Sequence, residues 1–406
     1  MKFIKNPVKG MRDILPEEME IREYIINQIC ETYSSFGFRR IETPCIENIE
    51  NITSNQGGEN EKLIFRILKR GEKLKFDMAE TVEDLIDSGL RYDLTVPLSR
   101  YYANNMNELD KPFKALQIGS VWRADRPQKG RFRQFVQCDI DILGEKTNLA
   151  EIELILATTT FLKKVGLANF KVRINDRRIL KALALAAGFS KDDLDSVFIS
   201  LDKMDKIGID GVKSELIKNN YDCEIVEKYL NYFSNDCSSA NNFCNNKDII
   251  IEDKVLIELD NVIEIIKSIN ETNIVFDPTL VRGMSYYTGL IFEIEVEGYS
   301  GSIAGGGRYD TMIEKYINVS VPACGFSIGF ERLINILLEN DYKIPTKQKK
   351  YAILLEKNSS ISEIKESISK ANKLRESGAI VNIQNKSKNF KHQKEVLEKE
   401  GYVLYK

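Results

Sequence analysis

One histidine occurs in 406 residues, His392, and it lies in a lysine-rich stretch near the C-terminus. A Ser-His-Asp or Cys-His mechanism would have to rest on that residue, and a multi-histidine metal site cannot be built. Seven cysteines (30, 45, 138, 223, 237, 244 and 324) form no C-x-x-C pair. A disulfide framework and a structural zinc are therefore not expected, whereas reduced and mostly buried thiols are. No run approaches the roughly 20 apolar residues of a spanning helix, and the opening MKFIKNPVKG lacks the apolar stretch of a signal peptide. A cytoplasmic chain with no membrane partner is the expectation. At 43% hydrophobic and 29% charged the composition is that of a globular protein, too long for one core and sized for two or three domains.

Charge is unevenly placed. Residues 341–406 carry 15 Lys+Arg against 8 Asp+Glu, a net of +7, so the first 340 residues hold −10 of the overall −3. An acidic body with a basic end is compatible with a polyanionic partner at that end, and equally with a solvated lysine-rich surface.

Along the chain, residues 17–36 read as a helix: Pro16 suits its first turn, Ile21, Ile25 and Ile29 repeat at i, i+4, and Gly37 stops it. The strand FRRIE follows. Between KALQIGSVW and FRQFVQCDIDIL lies the polar loop RADRPQKGR, so residues 111–142 form a long hairpin. Residues 178–270 are helix-rich and read as an inserted subdomain around an Asn/Ser/Asp-rich break at 234–247. Strand character returns at 286–297, followed by a glycine stretch, SIAGGGRYD, and by CGFSIGFERLINILLEN, which runs into an amphipathic helix. From 347 to 406 strand and helix alternate as a small α/β unit.

Period 2 on the returning hairpin strand puts Arg133, Phe135, Gln137, Asp139 and Asp141 on one face and Phe132, Val136, Cys138, Ile140 and Ile142 on the other. The even face is core. An arginine, an aromatic, an amide and two acids on the odd face suit a phosphate, a flat base and an amine held together, although the pattern alone also permits simple solvent exposure. In LVRGMSYYTG, Arg282 and the pair Tyr286 and Tyr287 offer a planar cation and two phenols. AGGGRYD fits neither the P-loop nor the dinucleotide fingerprint and by itself indicates a tight turn. Arg332 opens a helix after two glycines.

Taken in order, these segments resemble histidyl-tRNA synthetases, class II aminoacyl-tRNA synthetases, over nearly the whole chain. KGMRDILP and the helix and strand ending at Pro44 resemble the family's start and motif 1. RADRPQKGRFRQFVQCDIDILG resembles motif 2, CGFSIGFERL resembles motif 3, and LVRGMSYYTG with SIAGGGRYD resemble the two segments peculiar to the histidine enzymes. LRYDLTVPLSRY and SLDKMDKIG also match. Two departures stand out: Met284-Ser285 where the family often has Leu-Asp, and a C-terminal domain that ends some tens of residues earlier than a full anticodon-binding domain of the family.

The resemblance implies an α+β fold: a mainly antiparallel class II sheet flanked by helices, spanning 1–177 and 271–342, interrupted by the helical insertion at 178–270 and followed by an incomplete anticodon-binding-like α/β domain at 347–406. It implies a homodimer, ATP and L-histidine as substrates, Mg2+ bridging the β- and γ-phosphates with few protein ligands, and tRNA(His) as partner. By residue, Arg123 and Arg282 would be catalytic, on the α-phosphate, with Arg282 also on the histidine carboxylate. Phe135 and Arg332 would sandwich adenine, with Asp125, Arg131 and Arg133 completing the ATP set. Asp93, Thr95 and Gln137 would hold the α-ammonium group, Asp141 with Tyr287 would bond the two imidazole nitrogens, and Leu94, Arg123 and Tyr286 would complete the L-histidine set. The loop from Arg126 to Arg131 would meet the tRNA acceptor end. A rival reading is a catalytically silent paralogue such as the regulatory subunit of ATP phosphoribosyltransferase. The shorter C-terminal domain favours it and the complete ATP-activating set opposes it. A third is an enzyme that hands the acyl group to an acceptor other than tRNA.

Overall fold

The computed structural model describes residues 3–53, 60–127, 130–233, 239–245, 249–282, 286–345 and 348–405. Gln128, Lys129 and Met284-Ser285 lie outside the described residues. The chain divides into two compact units, Met1–Asp341 and Tyr342–Lys406.

In the first unit the strands are β1 (Arg39–Ile41), β2 (Ile46–Asn48), β3 (Arg66–Leu68), β4 (Ile86–Leu90), β5 (Phe113–Trp122), β6 (Gln134–Leu143), β7 (Phe170–Asp176), β8 (Ile274–Phe276), β9 (Leu290–Val296), β10 (Ala304–Arg308) and β11 (Ala323–Gly329). Eight of them form one sheet in the order β1-β5-β6-β11-β10-β9-β7-β8. Only the outermost pairs, β1 with β5 and β7 with β8, are parallel; every pairing between them is antiparallel. This is the α+β architecture expected.

Helix Pro16–Ser35 starts on its proline and buries Ile25, Ile29 and Tyr33, while Gly37 leaves it at φ +83°, a left-handed conformation that suits glycine. The Tyr33 hydroxyl meets Thr158 at 3.2 Å on helix Leu149–Lys164. Helices Arg177–Ala187, Leu194–Leu201, Met204–Lys218, Cys223–Asn231, Ala240–Asn245 and Asp253–Asn270 occupy the segment between β7 and β8.

One expectation fails. AGGGR forms strand β10, between β9 and β11, and is not a turn. Its glycines are needed for proximity: a Cβ at Gly306 would stand 2.0 Å from the Gly325 carbonyl, and one at Gly307 would stand 2.6 Å from that of Leu290. The two tyrosines also precede β9, which begins at Leu290.

The second unit is a parallel three-stranded sheet, with β12 (Lys350–Leu355) between β13 (Ile380–Asn385) and β14 (Tyr402–Leu404). Helices Ile361–Glu376 and Phe390–Lys399 connect the strands, and Ile353, Ala371 and Val381 form its core. His392 is exposed in the first turn of the second helix, its backbone N–H donating to the Asn389 cap at 3.3 Å.

Candidate active site

Residues opposite one another on neighbouring strands share a sheet face, so the register can be read as rungs. One rung runs Gln117, Asp139, Ser327, Gly305, Glu293 from β5 to β9. The next, two residues along, runs Ala115, Asp141, Gly325, Gly307, Ile291. The odd face of β6 is thus continuous with the glycines of β10 and β11, and it is buried: Gln137, Asp139 and Asp141 are 9%, 4% and 2% exposed. Simple solvent exposure of this face is excluded.

The glycines make room for the functional side chains. A Cβ at Gly325 would lie 2.1 Å from Asp141 Oδ1, and one at Gly305 would lie 2.3 Å from Arg282 Nη1. Arg282 therefore lies flat across β10, where Nη1 donates to Glu293 on β9. Burial opposes its charge, but the carboxylate beside it outweighs this, so its pKa is raised. Gln137 donates to Ser327 Oγ at 2.8 Å. Tyr309 donates to Asp141 Oδ1 at 2.6 Å.

Asp141 carries the clearest electrostatic signature. Burial raises its carboxyl to about 7 against the Tyr309 hydrogen bond, with the nearby Asp93 adding to the rise. Asp139 is pushed up by burial first and by Asp141 second. Asp93 accepts from Val96 N at 3.0 Å, at the start of helix Thr95–Asn105, and Gln117 holds the Leu94 carbonyl at 3.0 Å. These two contacts fix Asp93, Leu94 and Thr95, all buried. Tyr286 and Tyr287 pack ring to ring at 4.8 Å, and Tyr286 meets Tyr309 edge-on at 5.9 Å. Burial raises the pKa of all three phenols, keeping them as neutral hydroxyls.

Among the described residues, three buried polar atoms here have no hydrogen-bond partner: Gln137 Oε1, Asp141 Oδ2 and Arg282 Nε. Buried polar atoms are ordinarily satisfied, so two acceptors and a cationic donor in this part of the sheet keep hydrogen-bonding capacity that the described residues do not use.

Beside this lies a second group. The Arg123 guanidinium sits 4.3 Å from the Tyr92 ring centroid and 5.2 Å from that of Phe135, with Nε donating to the Tyr92 carbonyl at 3.1 Å. Arg332 is half-buried, with Nη1 on the Ser302 carbonyl. Its pKa is lowered by burial and then by Arg131, an exposed arginine within electrostatic reach. Asp125 is half-buried in the loop between β5 and β6. Arg133 is held by backbone carbonyls: Nε donates to that of Asp125 at 3.1 Å and Nη1 to that of Lys9 at 3.5 Å.

Sequence reasoning gave no role to Tyr309, Glu293, Ser327 or Gly325. A signal for Tyr309 was present: with period 2, Gly305, Gly307 and Tyr309 share one face. Arg308 in the same segment is structural, held by Glu151 at 2.7 and 2.8 Å.

The family model described as histidyl-tRNA synthetase matches residues 10–333. A histidine–tRNA ligase of Leifsonia xyli subsp. xyli is 44% identical over 344 residues, covering 82% of this chain and 80% of that protein. A probable histidine–tRNA ligase of Tropheryma whipplei is 42% identical, with 100% of this chain and 95% of that protein aligned. The crystal structure of histidyl-tRNA synthetase from Nostoc sp. PCC 7120 superposes with a TM-score of 0.77 at 26% identity, covering 98% and 90% of the two chains. A Bacillus halodurans structure described as an ATP phosphoribosyltransferase regulatory subunit/histidyl-tRNA synthetase reaches 0.79 over 100% and 98%; at 23% identity this likeness concerns the fold alone. With the family model spanning most of the chain and relatives above 40% identity, the chain belongs to the histidyl-tRNA synthetase family.

Proposed function

We propose that this protein is a histidine–tRNA ligase, activating L-histidine with ATP and transferring it to the 3′ end of tRNA(His). The observation that carries the reading is the trio of unpaired buried atoms. Histidine supplies what each lacks: an ammonium for Gln137 Oε1, assisted by Asp93 and Thr95; an imidazole N–H for Asp141 Oδ2; and a carboxylate for Arg282 Nε. Tyr287 and Tyr286 take the other side of the imidazole, and Leu94 closes the wall.

Activation is in-line attack of the histidine carboxylate on the α-phosphorus of ATP, with pyrophosphate leaving. The nucleophile is already anionic, so the protein's work is alignment and charge stabilisation. Arg282 spans carboxylate and α-phosphate, and Arg123 meets the α-phosphate from the hairpin. Phe135 and Arg332 hold adenine between a ring face and a guanidinium. Arg131 reaches the outer phosphates, Asp125 borders them, and Arg133 anchors the loop. A magnesium ion would accompany ATP as part of that substrate and would offset charge on its phosphates, with no residue of this chain assigned to hold it. In transfer, a phosphate oxygen of the adenylate accepts the ribose proton, so a chain whose one histidine lies on a surface helix loses nothing. The homodimer implied by motif 1 and a cytoplasmic location belong to the same reading. Among the described residues no helix is long and apolar enough to cross a membrane.

A silent regulatory paralogue has no need of both the histidine set and the ATP set. The test is aminoacylation of a tRNA pool: labelled histidine should be charged and other amino acids should not. Adenylate formation without charging would favour an acceptor other than tRNA. The net +7 of residues 341–406 supports a tRNA contact there. Deleting residues 347–406 should weaken tRNA affinity about tenfold or more in filter binding and steepen it less with salt. An unchanged affinity contradicts that contact.

A further inference from the structure

KGMRDILP opens the region of family likeness, yet its chemistry gives it no catalytic role. In the structure residues 9–12 lie against the loop between β5 and β6. Arg133 donates its backbone N–H to the Gly10 carbonyl at 2.7 Å, and its carbonyl accepts from Arg123 N at 2.9 Å. Gly10 adopts φ +85°, and a Cβ there would stand 2.8 Å from Arg133 Cγ and Cδ and from Pro127 Cγ. Both backbone conformation and proximity demand glycine.

Two residues on, the Arg12 guanidinium lies 4.7 Å from the Phe132 ring centroid. It donates to Glu18 at 2.8 and 2.6 Å and to Glu331 at 3.2 Å. Glu331 adjoins Arg332 in sequence. It also receives both arms of Arg22 at 2.8 and 2.6 Å and the Val136 N–H at 3.4 Å. Burial would raise the Glu331 carboxyl, but the arginines hold it below its ordinary value. One carboxylate thus joins the N-terminal segment, helix Pro16–Ser35, strand β6 and the helix bearing Arg332.

We infer that residues 9–12 form a strap that positions the ATP half of the site, with Gly10 and Arg12 as positioning residues that set affinity for ATP and not for histidine. The inference rests on the reading of Arg123, Arg131, Phe135 and Arg332 as ATP ligands. The asymmetry is geometric. Gln137, Asp141, Arg282 and Asp93 are fixed by Ser327, Tyr309, Glu293 and Val96, and neither Gly10 nor Arg12 hydrogen-bonds to any of these. A loop released from its strap must be ordered each time ATP binds, which weakens binding of the nucleotide alone.

The experiment measures histidine-dependent ATP–pyrophosphate exchange in the full chain, titrating each substrate for wild type, Gly10→Ala and Arg12→Ala. KM for ATP should rise about tenfold in both variants while KM for histidine stays within about twofold. Arg12→Lys, which keeps the charge, should recover part of the ATP affinity. An unchanged KM for ATP, or an equal rise for both substrates, overturns the strap. A measurement on the unaltered protein guards against variants that fail to fold: in hydrogen exchange, residues 3–14 should gain protection with a non-hydrolysable ATP analogue and not with histidine. The reverse pattern overturns it too. Absence of exchange in wild type would remove the ligase reading, and the strap's role with it.

Discussion

Arg282→Ala lowers the rate of histidyl-adenylate formation by roughly 10² to 10³, the effect of removing one preorganised donor from developing charge. Arg282 is the residue that touches both reactants in the proposed geometry, so the loss falls on kcat as well as on KM for histidine. Arg282→Lys does not rescue, because an ammonium cannot reach Glu293 with one nitrogen while presenting another to the substrate. Arg282→Ala also leaves Glu293, half-buried on the polar face, without its partner. Stranding a carboxylate in this way costs up to about 3 kcal/mol. A purely structural role for Arg282 is separated by the double variant Arg282→Ala/Glu293→Ala. It should regain thermal stability and stay catalytically impaired; recovery of rate together with stability would show that the arginine acts only through the fold.

Asp141→Asn has the second large effect, with opposite signs for activity and stability. A buried carboxyl raised to about 7 is easier to protonate in the folded state than in the unfolded chain. The stability this gives is complete below about pH 4 and is lost as pH rises through about 7, on the order of 4 kcal/mol if the site stays empty. The free wild-type protein should therefore lose stability between about pH 4 and pH 7 on this account. Asp141→Asn, which keeps an acceptor for Tyr309 and cannot ionise, should melt higher than wild type at pH 8 and converge with it near pH 4. Histidine should stabilise the wild type most at the alkaline end, where its imidazole N–H meets the charged acceptor. The variant should lose roughly 10² or more in kcat/KM for histidine, because a site built from polar groups discriminates through the atoms left unpaired. Matching pH profiles of wild type and variant would locate the titration elsewhere.

Much of this was legible in the residues themselves. Period 2 along FRQFVQCDIDIL separated the apolar core face from the polar face because a strand's alternation is strict, and the row Gln137, Asp139, Asp141 on one face follows from it. The start and stop of helix Pro16–Ser35 were equally plain, since proline and glycine act locally. The function of AGGGRYD was not. Glycine reads as a turn when only neighbours in sequence are considered, yet these glycines serve approaches across the sheet, to Gly325, Leu290 and the Arg282 guanidinium. Glu293, Ser327 and Tyr309 were missed for the same reason: each acts through a residue far away in sequence, on an adjacent strand. For Arg133, face and residue type gave no hint that its guanidinium donates to the Asp125 and Lys9 carbonyls.

The central claim is that the unpaired atoms of Gln137, Asp141 and Arg282 select histidine for reaction with ATP. Histidine-dependent ATP–pyrophosphate exchange tests it most directly, run with wild type and with the other amino acids as controls. Exchange that requires histidine and is abolished by Arg282→Ala is the result expected. No exchange at millimolar histidine, or exchange equally supported by amino acids lacking an imidazole, would contradict it.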